Sequence, residues 1–253
     1  MRRSRWIGVS GEGKLRIKVG SRLHVGWTLQ LSIAALAAFI AGPALATSRV
    51  IPALAGFAIF VVGGLLGLGV GIAGMVDRFR GKTSGGGATL MMGGLVGVVL
   101  ITLALRASHY PPINDISTDL GDPPSFAQAQ SLPANQGRDF SYPEHVKETV
   151  RIAYPDLKSL RVTDPPRKVF DRALILGRAT PSWKITRVDR GTLTFEGVDT
   201  TRIFKFQDDF VVRVRPDGDG AIIDMRSKSR DGKGDLGANA QRIRDFWGRL
   251  QHE

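Results

Sequence analysis

The residues best equipped for chemistry fall in one stretch, Ile203 to Asn239, which holds Asp208, Asp209, Arg213, Arg226, Ser227, Ser229, Arg230, Asp235 and Asn239, with Arg242 just beyond it. Arg226, Arg230 and Arg242, with the hydroxyls of Ser227 and Ser229, gather near the expected start of a helix. Paired guanidinium donors beside helix N–H groups suit a carboxylate, a phosphate or a lipid head group. Asp208 and Asp209 offer a different chemistry, that of an acid/base pair. Catalysis is the weaker reading: there is no GxSxG elbow, and His24, His109, His145 and His252 lie outside the expected sheet and its loops. The absence of cysteine removes thiolate nucleophiles, disulfides and thiolate metal sites.

Two motif matches fail on inspection. The turn starting at Asp217 resembles the opening of a calcium loop, but the loop's last position is Lys228 where a bidentate Glu is required, so no metal is expected. Gly69, Gly71 and Gly74 have the spacing of a dinucleotide fingerprint, yet they lie inside an apolar run with no soluble strand before them, and no cofactor is expected.

The same polar residues also have a purely structural account. Arg213 and Arg226 belong on the outward face of neighbouring strands with Asp224, where cross-strand ion pairs form. Asp235 suits the cap of the last helix, and Asn239 and Arg242 can bond back to a Ser227–Arg230 loop and fix its shape.

The elements that would position these side chains can be read from periodicity. Asp164 as cap, Pro165 in the first turn, apolar Val169, Phe170, Ala173, Leu174 and Leu176, and Gly177 as stop predict a helix. Four strands follow, around Trp183 and Ile185, Leu193 and Phe195, Phe210 to Val214, and Ile223 to Met225, with turns at Asp189–Gly191 and Pro216–Gly220. A last helix from about Asp235 places Leu236, Ala240, Ile243, Trp247 and Leu250 on one face. The expected module, residues 142–253, is a small α+β domain of helix, four-stranded antiparallel sheet and helix, with one sheet face covered.

Asp208-Asp209 entering a strand, Arg213, the run Arg226-Ser227-Lys228-Ser229-Arg230, Gly232, Asp235-Leu236-Gly237-Ala238-Asn239 and Arg242-Ile243 form a specific pattern. From Tyr142 to Leu250 the chain resembles an uncharacterised family known as domain of unknown function fourteen-ninety-nine. The resemblance implies a protein of proteobacterial or plastid type, many bacterial members being fused to N-terminal membrane spans. Asp231 departs from it, a small apolar residue being commoner there. No activity is implied, so no catalytic role is carried over.

The first half of the chain has another character. Residues 1–106 carry 12 Lys/Arg against Glu12 and Asp77, whereas the remaining 147 residues carry 23 Lys/Arg against 21 Asp/Glu. The basic excess therefore lies away from the soluble module, which argues against nucleic-acid binding. Residues 27–46, 51–76 and 88–105 are uncharged apolar runs long enough for three transmembrane helices, the first two forming a hairpin, so the lipid bilayer is the expected partner. Ala44-Leu45-Ala46 also fits a signal-peptide cleavage site, but the long basic segment before the first run favours a retained helix. Lys/Arg bias predicts a basic cytoplasmic tail over 1–26, a cytoplasmic second loop and a periplasmic C-terminal domain on the bacterial inner membrane.

Residues 107–141, rich in Pro, Asn and Ser, read as an extended linker. Gly63, Gly67 and Gly71, then Gly93 and Gly97, recur at four-residue spacing and give the second and third spans small faces for close helix packing, with each other or with other integral membrane proteins. Two functional readings follow. One is an anchored envelope protein whose outer domain is an interaction or assembly module, an accessory subunit of a larger membrane complex. The other is a binding module or enzyme acting on an anionic envelope ligand through the Arg/Ser/Asp cluster.

Overall fold

The computed structural model describes residues 27–81 and 86–252. The expected basic tail over 1–26, and Lys82 in the second loop, lie outside the described residues.

Three apolar helices come first: α1 (Trp27–Thr47), α2 (Ala53–Phe79) and α3 (Gly86–Ala107). Each contains a stretch long and apolar enough to cross a membrane, Thr28–Thr47, Ala53–Phe79 and Thr89–Ala107. The turn between α1 and α2 is tight: Arg49 takes a left-handed φ of 59°, and Pro52 stands at the N-cap of α2. The glycine spacing is used within this bundle. A Cβ on Gly63 would lie 2.5 Å from the Phe39 nitrogen of α1, and one on Gly71 would lie 2.8 Å from the Gly94 nitrogen of α3. Larger side chains there would force the helices apart. The faces expected to receive other membrane proteins are thus occupied by the chain's own neighbouring helices. The outward sides of the bundle are apolar and exposed, for example Leu65, Leu66, Ile72 and Met75, and are compatible with lipid contact.

The C-terminal part is an antiparallel sheet with helices, and the sheet has six strands rather than the expected four. β3 (Trp183–Asp189), β4 (Thr194–Thr200), β5 (Gln207–Asp217) and β6 (Gly220–Ser229) form the expected meander. The extra strands are β1 (Asp115–Ser117) and β2 (Leu160–Val162), both on the far edge of β6. β1 pairs with Arg226–Lys228 and β2 with Ala221–Ile223, so two short strands laid end to end cover one long edge. Three-residue strands carry too little alternation to show in a sequence pattern.

Short helix α4 (Gln128–Ser131) and a 3₁₀ turn at Pro133–Asn135 follow β1, and α5 (Glu144–Ala153) precedes β2. Residues 107–141 therefore do not run as an extended tether: they add β1 to the sheet and then cross its outer face as a strap, seating Phe126 and Ala129 on Val211 with Phe140 beside them. The opposite face carries α6 (Pro166–Ala179) and α7 (Ala238–His252) over a core that includes Phe170, Leu174, Phe195, Phe210, Val212, Met225, Ile243 and Leu250. Burial of each such side chain contributes about 1.5–3 kcal/mol, which holds these helices on the sheet. Both faces are covered, not one.

Local details also differ. Asp164 bonds to Lys168 and Arg172 instead of capping α6 through its backbone. Gly177 lies inside α6, where a Cβ would come within 3.2 Å of the Phe195 ring; close packing, not helix termination, explains it. Ser227 and Ser229 belong to β6 rather than to a loop, and α7 begins at Ala238, three residues after Asp235.

Candidate functional site

Along a strand successive side chains point to opposite faces, so a cluster contiguous in sequence is divided by the sheet that carries it. Of the ten residues singled out, Asp208, Ser227, Ser229, Asp235, Asn239 and Arg242 meet on the helix face. Asp209, Arg213, Arg226 and Arg230 point to the strap. Asp208 and Asp209, adjacent on β5, therefore cannot form an acid/base pair.

On the helix face Arg242 of α7 is the centre. Its Nη2 donates to Asp208 Oδ2 at 2.5 Å, its Nε to Asp199 Oδ2 at 2.7 Å, and its Nη1 to Ser227 Oγ at 2.7 Å and to Asn239 Oδ1. Asn239 Nδ2 donates to Ser229 Oγ at 2.9 Å and to the Asn114 carbonyl at 3.1 Å. Burial pulls the Arg242 pKa down, but the Asp208 and Asp199 carboxylates outweigh it and hold it above the ordinary value.

Asp235 takes the capping role expected of it, from just ahead of α7. Its two oxygens accept from the N–H groups of Gly237 and Asn239, each at 2.8 Å, and so fix the left-handed turn at Leu236 (φ 55°) and Gly237 (φ 79°). Burial pushes the Asp235 pKa up, against those two N–H donors.

On the strap face Arg226, 3% exposed, grips Asp115 with two bonds of 2.9 and 2.7 Å and donates to the Phe140 and Ser141 carbonyls at 3.0 Å. Its guanidinium also lies over the rings of Phe126 and Tyr142, 5.1 and 4.8 Å from their centroids. Asp209 accepts from Arg230 at 2.6 and 3.0 Å, from Arg138 at 3.2 Å and from Asn135 at 2.9 Å. Arg213 pairs with Asp224 as expected, at 3.2 Å, and also with Asp122 at 2.9 Å, while Arg215 reaches Asp119 at 2.8 Å.

Buried Glu196 accepts three backbone N–H groups, those of Ala127, Gln128 and Ala129, and so fastens the start of α4. Burial raises the pKa of Asp119, but the Asp122 N–H and Arg215 outweigh it and hold the carboxyl below its ordinary range.

Asp115, Asp119, Asn135, Arg138, Glu196 and Asp199 were missed from sequence. A signal for two of them, Asp115 and Asp119, exists. The outward face of β5 and β6 carries Arg213, Arg215, Arg226 and Lys228 against Asp209, Asp217 and Asp224, so further acids had to arrive from elsewhere: β1 brings Asp115, and the strap that follows it brings Asp119 and Asp122.

Two hollows adjoin the helix-face network. A groove of about 710 Å³ runs along α7, lined by Thr180, Trp183, Asp199, Gln241, Arg242 and Phe246 among others. A smaller cavity of about 220 Å³ lies between the first turns of α2 (Leu54, Phe57) and Phe206, Asp208, Ser229 and Leu236. Among the described residues no group of three or more His, Asp or Glu side chains is placed to hold a metal ion.

Residues 115–250 match the family described as "Protein of unknown function (DUF1499)". The chain belongs to the DUF1499 family. That match starts at Asp115, the residue whose carboxylate Arg226 grips, so the strap lies within the family region. No curated protein matches the chain.

Proposed function

We propose that this DUF1499 protein is a membrane-anchored interaction module, its spans set in the bacterial inner membrane with the N-terminus cytoplasmic and the α+β domain periplasmic, serving as an accessory subunit of a larger membrane complex. The orientation rests on the Lys/Arg bias of the flanking segments. The functional reading rests on one observation: the charged cluster is internally neutralised. Arg242 spends its Nε and both terminal nitrogens on Asp199, Asp208, Ser227 and Asn239, and Arg226 and Arg230 grip Asp115 and Asp209 with two bonds each or more. An anionic ligand would have to displace buried carboxylates from these groups, a loss of several kcal/mol per pair. The cluster is better suited to making a rigid platform than to turning over a substrate.

With the glycine faces consumed inside the bundle, a membrane partner would meet the outer apolar faces of the spans or the domain surface. The test is mild solubilisation of native membranes followed by purification and mass measurement of the intact particle. The expected particle contains a second, stoichiometric integral membrane protein. Recovery of the chain alone in every mild detergent would overturn the reading. As a companion measurement, Arg230→Ala and Asp209→Asn are expected to lower the melting temperature of the full chain; unchanged melting with lost function would instead assign these residues to a site.

A further inference from the structure

The β4–β5 connection reads Arg202-Ile203-Phe204-Lys205-Phe206, two basic residues interspersed with three large apolar ones. It is a closed loop, with the Thr201 N–H donating to the Phe206 carbonyl at 2.8 Å, and it is bound to the membrane hairpin, not to the sheet core. Phe204 stacks edge-on against Phe57 and Phe60 of α2, at centroid distances of 5.4 and 5.6 Å, and Phe206 lies 5.9 Å from Phe57. The Thr47 hydroxyl at the end of α1 donates to the Ile203 carbonyl at 2.5 Å.

The depth of these contacts follows from helix geometry. At 1.5 Å per residue, Phe57 lies about 6 Å and Phe60 about 10 Å along α2 from Ala53. The 27 residues of α2 span about 40 Å, only about 10 Å more than a hydrocarbon core. Part of that excess must fall at the far end, where Asp77 and Arg78 need water. Phe60 therefore sits at or below the boundary of the acyl region, and Phe204, packed against it, sits at that depth too.

The rest of the surface there agrees. Ile203 is 56% exposed, Leu236 57% and Val50 69%, an apolar rim around the hairpin turn with no covering segment among the described residues. Arg202 and Lys205 flank Ile203, and neither has an acid partner among the described residues. Lys205 adopts φ 63°, a left-handed conformation that disfavours residues with a side chain. Cations with no acid partner among the described residues, beside exposed apolar side chains at the level of a span's end, match the layered chemistry of a bilayer surface, with acyl chains within and phosphates above.

We propose that Arg202–Phe206 is a bilayer hook: Ile203 and Phe204 enter the head-group/acyl boundary, and Arg202 and Lys205 contact the phosphates of anionic phospholipids. The domain is thereby held flat against the membrane. This holds whichever side the domain occupies and whether or not a protein partner exists, so it can fail or stand separately from the assembly reading.

The chain has no native cysteine, which makes single-site spin labelling clean. Ile203→Cys, Ile175→Cys on the exposed side of α6 and Leu66→Cys in the middle of α2 are labelled in the full chain and placed in nanodiscs of phosphatidylcholine with or without phosphatidylglycerol. Collisions of the label with oxygen, which partitions into lipid, are compared with collisions with a water-soluble nickel chelate. The expected result is oxygen-dominated collision at positions 203 and 66 and chelate-dominated collision at 175. A position-203 label as accessible to the chelate as that at 175 overturns the hook. A water-exposed label at 66 overturns the hook and the spanning helix together.

For the phosphate contact, adding phosphatidylglycerol is expected to deepen the position-203 label in the otherwise native chain and to leave it unmoved when Arg202→Gln and Lys205→Gln are combined. Equal response in both chains removes the anionic-lipid part of the proposal.

Discussion

On the helix face of the sheet the arginine comes from the covering element and the acids come from the strands: Arg242 of α7 reaches down to Asp199 of β4 and Asp208 of β5. On the strap face most of the arrangement is reversed. Arg213, Arg215 and Arg226 rise from β5 and β6, Asp119 and Asp122 descend from the covering chain, and Asp115 reaches Arg226 from β1, the edge strand that leads into it. The covering elements explain the difference. α6 and α7 bring Phe170, Leu174, Ile243 and Leu250 to a large apolar core, so their charges adjust a contact that burial already secures. The strap brings little beyond Phe126, Ala129 and Phe140 and has one short helix, so its attachment depends on charge-assisted bonds.

If that contrast is right, the largest effect comes from the strap's central grip. Arg226→Ala leaves Asp115 with Lys228 as its remaining cation and empties the space between the Phe126 and Tyr142 rings. The expected loss is about 3–5 kcal/mol, as for other broken buried pairs. Equilibrium unfolding of the full chain in detergent measures it, and limited proteolysis should show new cleavage within residues 119–141. A loss below about 1 kcal/mol would mean the strap is held by its apolar contacts after all.

Glu196→Gln makes a milder break on the same side. Glutamine keeps one acceptor oxygen in place of a carboxylate that holds three N–H groups, so a cost of about 1–3 kcal/mol is expected. The same proteolysis assay should expose α4 first, with the helix face unchanged.

The faces also differ in the sign of their response to pH. Asp119, on the strap side, is held below its ordinary value of 3.8. Its contribution to stability is therefore present above that value and lost as pH falls through the lowered folded one. Asp235, on the helix side, is raised by burial. Its contribution is complete below the ordinary value and is lost as pH rises through the raised one. Melting temperature against pH should show a shallower acid limb in Asp119→Asn and a shallower decline toward neutrality in Asp235→Asn. Matching slopes in both variants would erase the distinction.

The parts of the molecule legible in the sequence are those with long periods. Three uncharged runs became α1 to α3, and the alternation around Phe210–Val214 and Ile223–Met225 became β5 and β6. Capping by Asp235 and pairing of Arg213 with Asp224 also followed from local rules. Illegible were the contacts made by short or aperiodic chain: β1 and β2 are three residues each, and Asp115 meets Arg226 across 111 positions. Residues 107–141 looked like a tether because Pro and Asn suppress periodicity. That segment is ordered by long-range ion pairs, which no local pattern records.

The smallest expected effect tests the division of the cluster most directly. Arg226 bonds to Asp115 and to the carbonyls of Pro124, Phe140 and Ser141; Arg242 bonds to Asp199, Asp208, Ser227 and Asn239. The two arginines share no partner and lie on opposite faces of the sheet. In a double-mutant cycle of Arg226→Ala and Arg242→Ala their unfolding free energies should add to within about 0.5 kcal/mol. Arg138 and Arg230 both bond to Asp209, so the cycle of Arg138→Ala and Arg230→Ala should show a coupling of about 0.5–3 kcal/mol. Denaturant midpoints of the single and double variants supply both numbers under one set of conditions. If the first cycle couples as strongly as the second, the cluster acts as one unit through the sheet, and the ten residues would again have to be treated as a single site.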